Sequence, residues 1–169
     1  MRLAPKKRIQ LTLFVSESDS ETIEHIRKKF NPKQFELIKS HVTLCREEEL
    51  ENLARIVENL NQLKSSPIVI PFEKVKRFSE GKGVLLPAKK GNVDFDNLRH
   101  TVLKGIIDNP KKQEAHITLM HPRNSTCTDI LFETIQNVSF PKILTFNKIT
   151  LIAQEMDEPW SIIKEFKFY

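Results

Sequence analysis

Polar and apolar positions alternate over residues 8–15 (RIQLTLFV) and place Leu11, Leu13 and Val15 on one face, the period of a half-buried strand. The period then changes. Ile23, Ile26 and Phe30 recur at helical spacing, which predicts a helix from a cap at Ser18 or Asp19 to about Phe30, broken by NPKQ. Residues 41–45 (HVTLC) are short, apolar and β-branched and predict a strand. Residues 47–63 predict a helix with its glutamates at the N-terminal end, where they suit the macrodipole. Two extended runs flank Ser79–Gly83, the pattern of a hairpin with a glycine-containing loop. A helix capped by Asn92 or Asp94 follows, then a strand over 116–120 (HITLM), a helix over 127–138 and closing strands to residue 168.

This order repeats. Strand, helix, strand and helix occupy about residues 8–64, and the same order returns over about 83–138. Leu13 precedes His41 by 28 residues and Leu85 precedes His116 by 31. The expected architecture is an α/β (α+β) fold of two pseudo-symmetric βα lobes with antiparallel sheets around a central cleft. It is expected as one domain over 1–169, with a frayed tail over about 1–7 and closing strands over about 142–168.

Composition narrows the function classes. Hydrophobic residues make up 39% and charged residues 29%, which argues against disorder. The net charge of +5 favours an anionic partner without demanding one. The only cysteines, Cys45 and Cys127, do not make a disulfide framework and point to a reducing compartment. No apolar run reaches membrane-spanning length and no secretory leader is evident. The expectation is a cytoplasmic monomer with no membrane partner.

The chemistry lies in a duplicated tetrapeptide: HVTL at His41 and HITL at His116. On a strand, residues two apart share a face. His41 and Thr43 should point together with Cys45 in line, and His116 and Thr118 with Met120, while Val42, Leu44, Ile117 and Leu119 face a core. Threonine fills 10 of 169 positions, so a given histidine has about a 6% chance of threonine two places on. Two such pairs among five histidines, on matching strands, are therefore read as one shared site and not as two unrelated buried strand histidines. Two imidazoles can divide the base and acid roles of an in-line phosphoryl displacement, because each titrates near neutrality. The two hydroxyls can donate to the non-bridging oxygens.

The pair HVTL and HITL resembles the His-x-Thr signatures of the 2H phosphoesterase superfamily, which includes RNA 2′,3′-cyclic phosphodiesterases and 2′-5′ RNA ligases. The resemblance extends over nearly the whole chain in motif separation and element order. It implies a bilobal α/β fold and catalysis without a cofactor, with His41 as general acid and His116 as general base. The implied partners are RNA ends or nucleotides carrying a cyclic phosphate. Relatives of the ligase branch often carry an arginine two residues after the second motif's leucine. His121 stands there instead, with Arg123 two later and Arg46 two after Leu44.

His121, Arg123, Arg46 and Phe14 are therefore candidate substrate-binding residues, each with a plainer reading. His121 and Arg123 also suit an ordinary polar turn. Arg46 also suits pairing with Glu47, Glu48 or Glu49, and Phe14 suits core packing as well as stacking on a base. Lys74, Lys76, Arg77, Lys89 and Lys90 suit either a polyanion rim or a solvated face. His25 and His100 read as surface or packed helix residues, and Trp160 as packing near the final hairpin. No metal is expected: His41 and Cys45, four apart on a strand, lie about 13 Å apart. His116 and His121, five apart, point to opposite faces. The rival functions are 2′-5′ ligation of tRNA halves, a non-catalytic RNA-binding module, and a phosphodiesterase for a non-RNA substrate.

Overall fold

In the computed structural model, which describes residues 6–168, the chain begins with β1 (Lys7–Phe14), α1 (Glu21–Phe30), α2 (Pro32–Leu37) and β2 (His41–Cys45). A 3-10 turn (Glu47–Glu49), α3 (Leu53–Asn61), β3 (Ile68–Pro71), β4 (Lys76–Arg77), β5 (Val84–Pro87) and α4 (Val93–Val102) follow. The chain closes with β6 (His116–Met120), α5 (Asp129–Gln136), β7 (Ile143–Phe146), β8 (Lys148–Glu155) and β9 (Ser161–Lys167). The expected tail lies outside the described residues over 1–5, and Lys7 already belongs to β1.

Among the described residues, seven strands form one antiparallel sheet in the order β4-β5-β6-β2-β1-β8-β9. The two lobes meet inside it: β2 pairs with β6 at Val42 and Ile117. A smaller sheet joins β3 to β7. One face of the large sheet carries the core. Leu11, Leu13, Val42, Leu44, Ile117 and Leu119 pack there with Ile23 and Ile26 of α1, Ile56 and Leu60 of α3, Phe95 and Leu98 of α4 and Ile135 of α5. Each of these helices lays an apolar stripe on the sheet, and the burial of that stripe holds helices this short in place. The α/β fold with antiparallel sheets is as expected, but the lobes share a continuous sheet.

Three local expectations change. The glutamates at 47–49 do not open a long helix. They form their own 3-10 turn, and α3 starts only at Leu53, where the Asn52 side chain accepts from the Arg55 amide. Asn31–Pro32 does not simply break the chain. Pro32 occupies the first turn of α2, where its missing N–H costs nothing.

The third change concerns face assignment. Thr12 pairs with Thr43 but Leu11 pairs with Cys45, so Leu44 is an extra residue in β2. Likewise Leu85 pairs with Thr118 but Val84 pairs with Met120, so Leu119 is extra in β6. Each motif strand therefore carries a β-bulge immediately after its threonine. The bulge reverses the alternation, and paired residues share a face. Cys45 joins Leu11 and Met120 joins Val84 in the core, against the expectation that they continue the His–Thr line.

Candidate active site

The core positions of β2 and β6 fix the opposite face. Val42 and Ile117 are fully buried, so His41, Thr43, His116 and Thr118 are presented together on the other side, each half-buried. With Val42 opposite Ile117 in an antiparallel pair, His41 lies across from Thr118 and Thr43 across from His116. The two histidines are diagonal neighbours, roughly 7–8 Å apart at their backbones by ordinary sheet geometry. That separation leaves room for one phosphate between the rings.

The two imidazoles are held alike. His41 Nδ1 lies 2.8 Å from the carbonyl of Lys39, and His116 Nδ1 lies 2.9 Å from the carbonyl of Glu114. A carbonyl only accepts, so both Nδ1 atoms carry the proton, which leaves both Nε2 atoms free to give or take a proton. An aromatic ring braces each edge-on: Phe14 on His41 at 6.0 Å and Phe78 on His116 at 5.9 Å. Phe14 comes from β1, directly across the strand pair, whereas Phe78 comes from the turn of the β4–β5 hairpin. Gly83 makes that second brace possible. A Cβ there would lie 2.6 Å from the Met120 carbonyl and 2.8 Å from the Phe78 ring.

Gln10 completes the first half. Its Nε2 donates to the hydroxyls of Thr12 at 2.8 Å and Thr43 at 3.1 Å. Thr43 thus receives its own bond and keeps its O–H proton for an oxygen in the cleft.

Electrostatics around the pair is cationic. Burial pushes His41 down to about 4, opposed by the Lys39 carbonyl and reinforced by Arg27, His116 and His121. Burial also lowers His116. The Glu114 carbonyl acts against it, and Arg46 and Lys76 act with it. His121 is lowered by burial and then by Arg123, Arg8 and His116. A site with this much positive potential and neutral imidazoles is prepared for an anion, which would restore the imidazolium form.

A stability prediction arises here. The folded His41 titrates near 4 and the unfolded one near its ordinary 6.5, so between those values the unfolded chain binds more protons. Stability rises with pH across this window and is lost as pH falls through it. Lowering pH from 7 to 4.5 should cost His41 on the order of 2 kcal/mol, or about 5 °C in Tm for a chain of this size. His41→Asn should shrink the acid-induced fall in Tm by about that amount. An unchanged fall would show that His41 is not the depressed group.

The accessory candidates separate. Arg46 lines a cavity beside His116, while Glu49, one of its expected partners, is engaged by Arg99. His121 follows β6 directly. Its Nδ1 accepts the Arg123 amide, and its own amide donates to the side chain of buried Asn31. The Arg123 side chain is exposed, and Arg123 does not line the cavity. Lys76, Lys89 and Lys90 do line it, whereas Arg77 is engaged with Asp129 and the Cys127 carbonyl. His25 and His100 are exposed on their helices. Trp160 lies at the β8–β9 turn, beneath Arg8. Among the described residues, no three of His, Cys, Asp and Glu are grouped as a metal site.

Gln10, Phe78 and Arg99 escaped sequence reasoning. Gln10 could have been found from its place on the Thr12–Phe14 face. Phe78 and Arg99 arrive through tertiary packing and left no local signal.

A profile of the 2′-5′ RNA ligase superfamily matches residues 15–158, most of the chain. The chain belongs to this superfamily. It is the 2H phosphoesterase grouping expected from the paired motifs. Members of this phosphoesterase superfamily are in general enzymes. The fold is similar to Escherichia coli LigT crystallised with phosphate, at 16% identity and a TM-score of 0.68 over 98% of this chain and 99% of that one. It is also similar to a protein described as a phosphoesterase, at 14% identity and a TM-score of 0.69 over 96% and 99%. A third likeness is to TT0787 of Thermus thermophilus, at 15% identity and a TM-score of 0.57 over 95% and 97%. No curated protein matches the chain by sequence. Among the described residues, no helix is long and apolar enough to cross a membrane.

Proposed function

We propose that this member of the superfamily is a phosphoesterase that opens 2′,3′-cyclic phosphates, or related 2′-linked diesters, on RNA ends or nucleotides. The observation that carries the reading is the β2–β6 pairing, which sets two identically tethered imidazoles diagonally on one open face with a threonine opposite each. His41 protonates the departing ribose oxygen and His116 takes the proton of the attacking water. Thr43 and Thr118 donate to the non-bridging oxygens, Arg46 and Arg123 supply positive potential around them, and His121, whose Nδ1 accepts the Arg123 amide, offers its Nε2–H as a further donor. Proton transfer needs no metal in this scheme. E. coli LigT, of like fold, has been crystallised with phosphate and with 3′-AMP, and an anion of that chemistry is what the cleft between the imidazoles would take.

The superfamily's description favours one second reading, the joining of RNA ends through a 2′-5′ linkage. It uses the same groups in reverse, and product analysis with split tRNA separates the two. The buried free cysteines fit a reducing cytoplasm. We further propose that the protein acts as a monomer.

The test is hydrolysis of a cyclic nucleotide and a cyclic-ended RNA in the presence of chelator, followed across pH. An acid and a base with depressed values should give a bell in kcat/KM centred on the acid side of 6.5. Bound phosphate anion stabilises imidazolium, so the kcat bell should lie at higher pH. A flat profile from pH 5 to 9, or no turnover without added metal, would end this reading.

A further inference from the structure

The segment that leads into the first motif is gripped from α1. Arg27 is 1% exposed, and its guanidinium donates to the Ile38 carbonyl at 2.7 Å and to the two oxygens of Glu24 at 2.8 and 3.0 Å. Glu24 in turn accepts the Ser40 amide at 2.9 Å. The two backbone groups held in this way flank Lys39, and the Lys39 carbonyl is the group bonded to His41 Nδ1. Resting on the phosphoesterase reading above, we propose that Glu24 and Arg27 are positioning residues for His41. By fixing residues 38–40 they fix the direction of the Lys39 carbonyl, and with it the tautomer and ring orientation of the general acid.

Stability alone does not account for the pair. Arg27 is buried on α1 with Ile23 and Ile26, where a well-packed apolar residue is often as stabilising as an ion pair or more so. Its Nε has no partner among the described residues, so its loss of water is not fully offset. What the pair supplies is direction. The Ser40 carbonyl is fixed as well, by the Val15 amide at 3.1 Å, so the segment is held at every step except the carbonyl that meets the ring.

The second half has no such device. His116 Nδ1 is held by the Glu114 carbonyl in the same manner. Among the described residues, no side chain but that of His116 itself bonds the backbone of residues 113–115, and the Ala115 carbonyl accepts the Ala88 amide instead. His116 is therefore an internal control. The charged and titratable groups that bear on His41 are Arg27 from α1, His116 from β6 and His121 just beyond it. Arg27 adds to the burial that lowers His41.

The experiment follows the ring nitrogens of the histidines by 15N NMR at pH 7.5, where His41 is neutral, beside turnover of a cyclic nucleotide. The parent is compared with Arg27→Met/Glu24→Gln, which removes both charges, keeps the volume and retains an acceptor for the Ser40 amide. Its Tm should stay within about 5 °C of the parent. His41 should be Nδ1–H in the parent and a mixture of both tautomers in the variant, while His116 stays Nδ1–H in both. The His41 titration midpoint should rise, since a nearby positive charge is gone. The variant's kcat should fall at least fivefold with KM within threefold, because a displaced acid is felt mainly in the transition state. Glu24→Gln alone, which leaves the Arg27 grip on Ile38, should keep kcat within twofold. An unchanged His41 tautomer, a kcat within twofold in the double variant, or a Tm lowered by more than about 10 °C would overturn the positioning role and leave the phosphoesterase reading intact. A parent that opens no cyclic phosphate would remove that reading, and the tautomer comparison would then decide alone whether the pair holds His41.

Discussion

Alanine at His41 or at His116 should lower kcat for cyclic-phosphate opening by about 10²–10⁴-fold while KM changes only a few-fold. The magnitude is that of one lost proton transfer in the transition state. The expected separation of kcat from KM follows from the geometry. In the proposed scheme each imidazole would meet the substrate through Nε2 alone, since Nδ1 is held by a carbonyl, and the surrounding cations would supply most of the ground-state attraction. The double variant should be little worse than either single one, because an acid without its base has almost nothing left to contribute. Folding is not the confounder. His41→Asn should keep the strand and still lose activity, since the amide cannot exchange a proton near neutrality. Circular dichroism and Tm measured beside the rates would confirm that the β2–β6 pair survives. Full activity in either alanine variant removes the two-histidine mechanism, whatever the substrate proves to be.

The motif could be read in advance because its signal is local. Alternation over four residues gives the strand, the apolar positions give the face, and a rare pair of residue types occurring twice gives the site. His41, Thr43, His116 and Thr118 needed no more than that. The lobes could be read for the same reason, since each depends on a change of hydrophobic period.

What escaped depends on contacts distant in sequence. Parity alone placed Cys45 and Met120 beside the His–Thr couples. The bulges at Leu44 and Leu119 turn both into the core, and a bulge leaves no mark in an alternating pattern. Fusion of the lobes into one sheet rests on the Val42–Ile117 pairing across 75 residues, and either lobe read by itself would have suggested a sheet of its own. The helix expected from residue 47 misled for another reason. Its glutamates are excellent helix formers, yet Glu49 serves elsewhere. It accepts two hydrogen bonds from Arg99, at 3.1 and 2.7 Å, and one from the Arg46 amide, so tertiary demand overrode propensity.

That Arg99–Glu49 pair carries the second large expected effect. Arg99 is 3% exposed on α4, and its guanidinium binds the carboxylate of Glu49 and the carbonyls of Leu44 and Lys111. Leu44 is the bulge residue of the first motif strand, and Lys111 belongs to the cavity wall. One side chain of the second lobe thus fastens the end of the first motif. Burial opposes charge on both partners, yet their mutual hydrogen bonds win. Arg99 is held above its ordinary value and Glu49 below. Arg99→Met keeps the volume but leaves the largely buried Glu49 carboxylate with the Arg46 amide as its one remaining donor, and takes the guanidinium away from the buried Leu44 carbonyl. The expected cost is about 3–5 kcal/mol, read by denaturant or thermal unfolding. Lysine should not rescue it, because a single ammonium cannot reproduce the planar fork that reaches four acceptors. Arg99→Met combined with Glu49→Leu should recover a substantial part of the loss, since the stranded carboxylate, and not the missing cation, is the main penalty. Additive losses in that double variant, or a single-variant cost below about 1 kcal/mol, would mean that Glu49 is hydrated and the first motif is anchored by its strand pairing alone.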